Sequence, residues 1–297
     1  MNQKNTYTTP TVLFVGSISS VIIAFVAGVL YCIAYHNSYE TDIRHFEAGA
    51  VLPYVFGVLM LLSAVIFTVS SVLLRKKYTL ADSVPGSAET FALWFCGLMF
   101  LIFGFISFSG AHTEGSSQLG ALCTGALAPL AVVSAVPFFL RTSEKTRNTA
   151  LHAVFSIVPV LWGICLLFKY YFDLKEMPLN DPELTLTMVS ISCAVIFFLC
   201  ECRISMGIAT PAIAAFSSSA ALCLTGSISA ARLVLWRLDG HVLPEPAETL
   251  LLFAVAVLAA CRLLELSSSM APVTKPETEE APVGEAVTEP ASEPFEA

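Results

Sequence analysis

Long apolar runs separated by short polar stretches make up most of the chain. The eight runs comprise residues 12–35, 51–74, 91–109, 119–140, 150–171, 184–202, 208–230 and 249–266. Each has 18 to 24 residues, and a helix of about 20 mostly apolar residues crosses the hydrocarbon core of a bilayer. The runs lack the apolar–polar alternation that is typical of a half-buried strand. The pattern therefore predicts eight transmembrane helices.

The polar stretches between the runs are too short to form a second folded domain. In lipid, only helices and closed barrels satisfy all of their backbone polar groups, so the runs predict an all-α polytopic membrane protein, a bundle of eight transmembrane helices. Residues 1–266 form the predicted membrane domain. Residues 267–297 are rich in Pro, Glu, Ala and Val, and such a composition buries too little apolar surface to offset the entropy of ordering. We therefore predict a disordered acidic cytoplasmic tail over 267–297.

The composition excludes most soluble classes of protein. Hydrophobic residues make up 56% of the 297 positions and charged residues only 13%, with a mean hydropathy of +0.76. Soluble domains carry roughly 25% charged residues. The net charge of −8 comes mainly from the tail, and the chain has no basic cluster that could follow a nucleic acid. These values exclude a soluble enzyme, a nucleic-acid-binding domain and a secreted disulfide scaffold, and they make the lipid bilayer the first expected partner.

The distribution of Lys and Arg predicts the orientation in the membrane. If the N-terminus is cytoplasmic, ten of the fifteen basic residues lie on the inner side and five on the outer side, as the positive-inside rule requires. The two densest basic clusters, within residues 75–77 and 141–147, both fall inside. Because the number of spans is even, we predict a multi-pass protein of the plasma membrane with a cytoplasmic N-terminus and a cytoplasmic C-terminus.

The nine cysteines all lie in apolar segments. Their odd number and their placement argue against a disulfide framework, and buried cysteine behaves as a small hydrophobic residue. The closest pair, Cys200 and Cys202, lacks the second half that a four-ligand zinc site needs. We therefore predict no metal and no cofactor. The first apolar run is longer than the roughly 7–15 residues of a signal-peptide core, so it predicts a span and not a cleaved leader.

Charged residues avoid the middles of the predicted spans and stay near their ends. Proton-coupled transporters need titratable groups part-way across the membrane, and their absence here argues against such a mechanism. Neither a paired intramembrane Asp set nor a His-rich metal motif is present, so we predict that the protein is not an enzyme. Glu201 lies near the inner end of span six, and we expect its carboxylate to pair with Arg262 or Arg141.

A few residues nevertheless match the pattern of a solute path. Proline in mid-helix frees a carbonyl and tends to kink the helix, and broken helices near the midplane hold the substrate in several transporter folds. Small and hydroxyl side chains recur on one face of span seven. The residues that would line such a path are Pro129, Pro159, Ser218, Thr225 and Glu201. The alternative is structural, because proline is common in plain transmembrane helices and small residues allow close helix packing.

The predicted outer face carries acidic residues and most of the histidines. Imidazole and carboxylate ligands together suit divalent cations. The candidate residues for an outer cation site are His112, His241, Asp239 and Asp173. The alternative is that the acidic residues cap helices, as the order Asp181, Pro182, Glu183 suggests for span six. No recognised metal-binding spacing links the histidines.

Three functions are compatible with this sequence. The first is a non-catalytic membrane component that assembles with or regulates other proteins, with the tail as a candidate protein-binding segment. The second is a passive or weakly coupled carrier or channel for a small solute of unknown identity. The third is an extracytoplasmic sensor of cations or pH. A polar cavity at the depth of Pro129, Pro159 and Ser218 would favour transport, whereas a solid apolar midplane would favour the first function.

Overall fold

The structure is a computed structural model that describes ten stretches of the chain. These stretches are residues 8–40, 45–47, 49–74, 78–80, 85–109, 118–147, 149–173, 181–208, 210–239 and 246–272. The predicted tail from residue 273 onward lies outside the described residues, as do the two candidate cation ligands His112 and His241.

The described residues contain eight helical segments that are long and apolar enough to cross a membrane, which confirms the predicted all-α bundle. The helices are α1 (Thr8–Ser38), α2 (Leu52–Leu74), α3 (Ser87–Ser109), α4 (Gln118–Ser134), α5 (Val136–Arg141), α6 (Glu144–Arg147), α7 (Ala150–Phe155), α8 (Val158–Asp173), α9 (Pro182–Ser205), α10 (Pro211–Ala220), α11 (Ser227–Asp239) and α12 (Pro246–Ser269). The strands are β1 (Tyr39–Glu40), β2 (His45–Phe46), β3 (Tyr78–Leu80) and β4 (Met270–Pro272). They form two short antiparallel pairs, β1 with β2 and β3 with β4.

Several spans consist of more than one helix. Spans one to three are α1, α2 and α3, span four joins α4 and α5, and span five joins α7 and α8. Span six is α9, and span eight is α12. Span seven consists of α10, a π-helical turn over Ala221–Gly226 and α11. We call the end of the bundle where α1 begins and α12 ends the Glu201 end, and the opposite end the Arg232 end.

Spans four and five are each interrupted once, and both interruptions precede a proline. In span four the break between α4 and α5 falls just before Pro137. In span five the break between α7 and α8 falls just before Pro159, which confirms the predicted kink there. Proline lacks an N–H to bond with the preceding turn, so it fits the first turn of a new helical piece. Pro129, by contrast, lies inside α4, and the break in span four belongs to Pro137.

Span eight is longer than the sequence pattern predicts. Helix α12 continues to Ser269, and β4 then pairs with β3, so that Met270 faces Leu80 and Pro272 faces Tyr78. Backbone pairing satisfies these polar groups whatever the side chains are, which hydropathy alone does not detect. The described structure thus extends six residues into the segment predicted as tail.

Span seven occupies the centre of the bundle. Its three pieces contact α1, α2, α9 and α12, and it is the most buried of the eight spans. The small residues of this span allow close approach of neighbouring helices, as predicted. At one such crossing a methyl group added to Gly28 of α1 would lie 3.2 Å from the carbonyl oxygen of Ser227.

An aromatic core lies between spans three, four, five and six. Phe100 is fully buried and has its ring centroid 5.0 Å from Trp162, 5.5 Å from Phe138 and 5.8 Å from Phe198. Trp162 also meets Phe103 edge to face at 5.5 Å. Edge-to-face pairs of this kind add to the packing energy of the rings. The outward-facing side chains are also apolar, among them Leu61 and Phe105, so the bundle is apolar both inside and outside and contacts the lipid bilayer.

A glycine of α8 tests how tightly spans five and six pack. A methyl group added to Gly163 would overlap Cγ2 of Val195, a stiff β-branched side chain. We expect Gly163→Ala to lower the free energy of unfolding by about 1–3 kcal/mol, as overpacked cores do, and Val195→Ala in the same chain to restore most of it. Thermal unfolding in detergent measures both effects. Gly125→Ala is the matched control because no atom lies within 4 Å of the added methyl group. An equal loss in the control would contradict the tight crossing.

Candidate functional site

Five charged side chains meet at the Glu201 end, and we call them the Glu201 cluster. Its members are Glu89, Arg141, Glu201, Arg262 and Glu265. They belong to four different spans, since Glu89 is in the first turn of α3, Arg141 ends α5, Glu201 is in α9, and the last two are in α12. Each side chain is less than one-fifth exposed.

Glu201 is held on both oxygens by arginine. Arg262 donates from Nε to Oε1 and from Nη2 to Oε2, both at 2.8 Å. Arg141 donates from Nη1 to Oε2 at 2.5 Å. The predicted pairing of Glu201 with Arg262 or Arg141 is therefore confirmed for both partners. A bidentate arginine–carboxylate pair fixes geometry as well as charge, so α9 and α12 are held in one register here.

The sequence pattern did not identify Glu89 as a member of this cluster. Glu89 is 1% exposed, accepts from Nη1 of Arg262 at 2.5 Å and lies 3.3 Å from Nη2 of Arg141. The apolar run begins at residue 91, whereas α3 begins at Ser87 and places Glu89 in its first turn. An acidic residue just before an apolar run is the available signal, and it is shared by ordinary helix caps.

Glu265 completes the cluster next to the loop that precedes α3. Its Oε1 accepts from the backbone N–H of Gly86 at 2.7 Å, and its Oε2 lies 3.5 Å from Nη1 of Arg262. With Glu265 included, three carboxylates face two guanidinium groups. The charged groups thus bond mainly to one another and to the backbone. The Glu201 cluster therefore holds four spans together.

A small cavity adjoins the Glu201 cluster. It has a volume of about 20 Å³, and Arg141, His152, Ser156, Pro159 and Glu201 are among the residues that line it. A cavity of roughly this size holds one water molecule. The hydroxyl of Ser156 donates to the carbonyl oxygen of His152 at 2.7 Å. This space is large enough to hydrate the cluster and too small for an organic substrate.

A second polar group lies at the Arg232 end. Arg232 is 5% exposed and donates from Nη2 to the hydroxyl of Thr187 at 2.5 Å. The same nitrogen lies 3.3 Å from Oε1 of Glu183. Arg232 thus connects span seven to the first two turns of span six. From the sequence alone, Glu183 is interpreted only as a residue at the start of a helix. Its salt-bridge partner lies in a different span, far along the chain, so no local pattern predicts the pair.

Acidic residues at the starts of spans six and eight have separate roles. The side chain of Asp181 accepts from the backbone N–H of Glu183 at 2.9 Å, which confirms it as the N-cap of α9. Glu248, in the first turn of α12, accepts from the hydroxyl of Tyr170 at 2.8 Å. Glu248 therefore also joins spans five and eight at the Arg232 end.

The hydroxyl groups of span seven are used within the bundle. Thr225 is fully buried and donates to the carbonyl oxygen of Ser190 in α9 at 3.1 Å. Ser229 donates to the carbonyl oxygen of Thr225 one turn earlier at 2.5 Å. Ser218 is 2% exposed. A π-helical turn widens the backbone between Ser218 and Ser229, and the neighbouring helices fill the space around it.

The five residues predicted for a solute path lie in three different places. Pro159 and Glu201 both line the small cavity at the Glu201 end. Ser218 and Thr225 are buried inside span seven. Pro129 is exposed on the outer surface of α4. The structure therefore does not bring the five residues together around one cavity.

The predicted outer cation site falls largely outside the described residues. His112 and His241 lie outside them, and Asp173 and Asp239 are the last residues of α8 and α11. Within the described part of the chain, no three His, Cys, Asp or Glu side chains are arranged to hold a metal ion.

Comparisons with known proteins give no family to which this arrangement could be assigned. No protein-family model, curated protein or solved structure matches the chain. The function must therefore be inferred from the packing of the spans and from the polar groups at the two ends of the bundle.

Proposed function

We propose that the protein is a non-catalytic membrane component that assembles with or regulates other membrane proteins. The observation that supports this most directly is the packing of the bundle interior. Phe100, Trp162, Phe197, Leu251 and Val255 are buried between the spans with no exposed surface. An interior filled by large apolar side chains provides no continuous polar route for a solute.

The polar groups inside the bundle support the same proposal. Thr225 and Ser229 donate their hydroxyl hydrogens to carbonyl oxygens of the bundle itself. In a transporter, the freed backbone groups of a broken helix instead bind the substrate or ion. Here the break in span five, just before Pro159, borders a cavity with room for only about one water molecule.

The charged groups at both ends favour a single rigid arrangement of the spans. The Glu201 cluster joins spans three, four, six and eight at one end. Arg232 joins spans six and seven at the other end. Alternating access requires one group of helices to rock against another, and these contacts oppose that motion at both ends.

A protein without its own substrate acts through partners, and the segment after residue 272 is the proposed contact. Residues 273–297 contain seven Glu and one Lys. An acidic segment of this kind attracts a basic protein surface, and the attraction weakens as salt screens it. The predicted orientation places this segment in the cytoplasm, where the partner would reach it.

The first test is a flux measurement on the full chain in unilamellar vesicles. We expect permeability to glycerol, sugars, Na⁺ and K⁺ to equal that of protein-free vesicles, because the interior is closed. Crosslinking in native membranes should at the same time capture a discrete partner. A chain that ends after residue 272 should lose the partner and keep its melting temperature. Saturable flux of any of these solutes, or capture that does not depend on the tail, would contradict the proposal.

A further inference from the structure

A lateral groove opens on the side of the bundle between spans one, two and six. We call it the lateral groove, and it has a volume of about 840 Å³. It is lined by residues of α1, α2 and α9, by the segment that joins α1 to α2, and by Leu224 of span seven. A volume of roughly 300–1,000 Å³ is typical of a site for a small ligand.

The groove exists because α2 stands away from α9 toward the Arg232 end. Helix α2 packs mainly against α1 and α10. Helix α10 forms only the half of span seven that is nearest the Glu201 end. Of the eight spans, α2 is also the least buried within the described structure. Gly57 widens the gap, since no atom lies within 4 Å of a Cβ placed there.

The depth of the groove matches one leaflet of a bilayer. Its α2 wall runs from Pro53 to Leu61, and its α9 wall from Pro182 to Val189. At 1.5 Å per residue, eight residues of helix span about 12 Å. The hydrocarbon core of a bilayer is about 30 Å thick, so each leaflet contributes about 15 Å.

The charged and ionisable groups of the groove, Glu47 and His45, lie at its mouth. The walls below the mouth are mostly apolar, with the hydroxyl-bearing Tyr31 and Thr185 among residues such as Phe56, Met60 and Leu186. His45 and Glu47 lie beyond the membrane-spanning part of α1 and α2. The backbone N–H of Glu47 donates to the carbonyl oxygen of Ser38 at 2.7 Å and fixes that segment at the end of α1.

Aromatic rings mark the level of the membrane surface beside the mouth. Tyr35 stacks on Tyr39 with ring centroids 4.3 Å apart, and Tyr39 meets Phe46 edge to face at 5.3 Å. Tyrosine is enriched where hydrocarbon meets lipid headgroups. The mouth of the groove therefore lies at headgroup level, and its floor lies in the hydrocarbon.

We propose that the lateral groove binds one acyl chain of a phospholipid that carries a primary ammonium headgroup, such as phosphatidylethanolamine. The chain occupies the apolar walls, the carboxylate of Glu47 accepts from the ammonium group, and the imidazole of His45 donates to the phosphate. A transmembrane helix of a partner is a poorer fit, because it needs contact over about 30 Å. This lipid site is independent of the proposed partner contact in the tail.

The test is photo-crosslinking of the full chain in vesicles of phosphatidylethanolamine and phosphatidylglycerol. A phosphatidylethanolamine with a diazirine on one acyl chain is activated by light, and the labelled residues are mapped by mass spectrometry. We expect labels to concentrate on residues 53–61 and 182–189. The same diazirine on a phosphatidylcholine should label these walls less, because its headgroup has no N–H to donate.

Two variants that fill the groove should abolish the preferential labelling of its walls. Gly57→Leu adds its side chain from the α2 wall and Val189→Phe from the α9 wall. Each should reduce labelling of the walls by about tenfold, which corresponds to ~1.4 kcal/mol of binding free energy. Gly16→Leu is the matched control, since Gly16 is an exposed glycine of α1 with no atom within 4 Å of an added Cβ. It should leave the labelling unchanged.

Melting temperatures show whether each variant folds. If one of the two groove-filling variants does not fold, the other one tests the lipid site. Even labelling of all outward-facing helices, or labelling that both folded variants retain, would overturn the lipid site. Crosslinks from the groove walls to another protein copy would also overturn it, in favour of a protein interface. Equal labelling by the phosphatidylcholine probe would overturn the headgroup contact.

Discussion

Replacing Arg262 by Met is expected to lower the free energy of unfolding by about 3–5 kcal/mol, the range for removal of one partner from a buried ion pair. Arg262 touches Glu89, Glu201 and Glu265. Without it, three carboxylates share one guanidinium group, that of Arg141, at a site almost closed to water. Equilibrium unfolding of the full chain in mixed micelles with increasing SDS measures the loss.

The control for this prediction is Arg237→Met in the last turn of α11. Arg237 is exposed, so its loss should change stability by less than about 0.5 kcal/mol. Adding Glu89→Gln to the Arg262→Met chain removes one uncompensated carboxylate and should recover part of the stability. If Arg262→Met and Arg237→Met behave alike, the Glu201 cluster does not hold the spans together.

Replacing Trp162 by Ala should cost a similar amount, about 3–5 kcal/mol. Trp162 is fully buried, and its ring meets Phe100 and Phe103 edge to face. The substitution leaves a cavity where four spans meet, and that cavity cannot close without moving them. The same unfolding measurement in mixed micelles detects the change.

A conservative variant separates ring packing from hydrogen bonding at this position. Among the described residues, Nε1 of Trp162 has no acceptor, so Trp162→Phe loses no hydrogen bond and should cost less than half as much as Trp162→Ala. Trp236→Ala is the surface control, because Trp236 is 48% exposed. Equal losses at Trp162 and Trp236 would show that the interior is not packed as the structure has it.

The parts of this fold that follow from the sequence are those with a local signal. Long apolar runs predict the eight spans, because each backbone must satisfy its own hydrogen bonds in lipid. Asp181 followed by Pro182 predicts the start of α9 from cap chemistry alone. Glu201 is a carboxylate near the end of an apolar run, so the sequence also predicts that it needs a basic partner there.

The parts that do not follow depend on how separate helices meet. Proline indicates where a helix can break, but not whether it does or which side of the helix faces lipid. Span five breaks just before Pro159, which is buried, whereas Pro129 lies inside α4 and faces outward. Glu89 joins the Glu201 cluster because α3 begins earlier than its apolar run. The lateral groove arises because α2 packs on α1 and α10 and stands away from α9, and no residue pattern within either helix specifies that separation.

The Glu201 cluster also sets an order of events during synthesis of the chain. Arg262 lies in the last span, whereas Glu89, Arg141 and Glu201 lie in spans three, four and six. Until the ribosome has released span eight, Arg141 alone neutralises two carboxylates that are costly to hold in a membrane. Insertion of the final helix supplies the missing cation, so the cluster closes only when the membrane domain is complete. A chain truncated before span eight therefore keeps two carboxylates, those of Glu89 and Glu201, beside the single guanidinium group of Arg141.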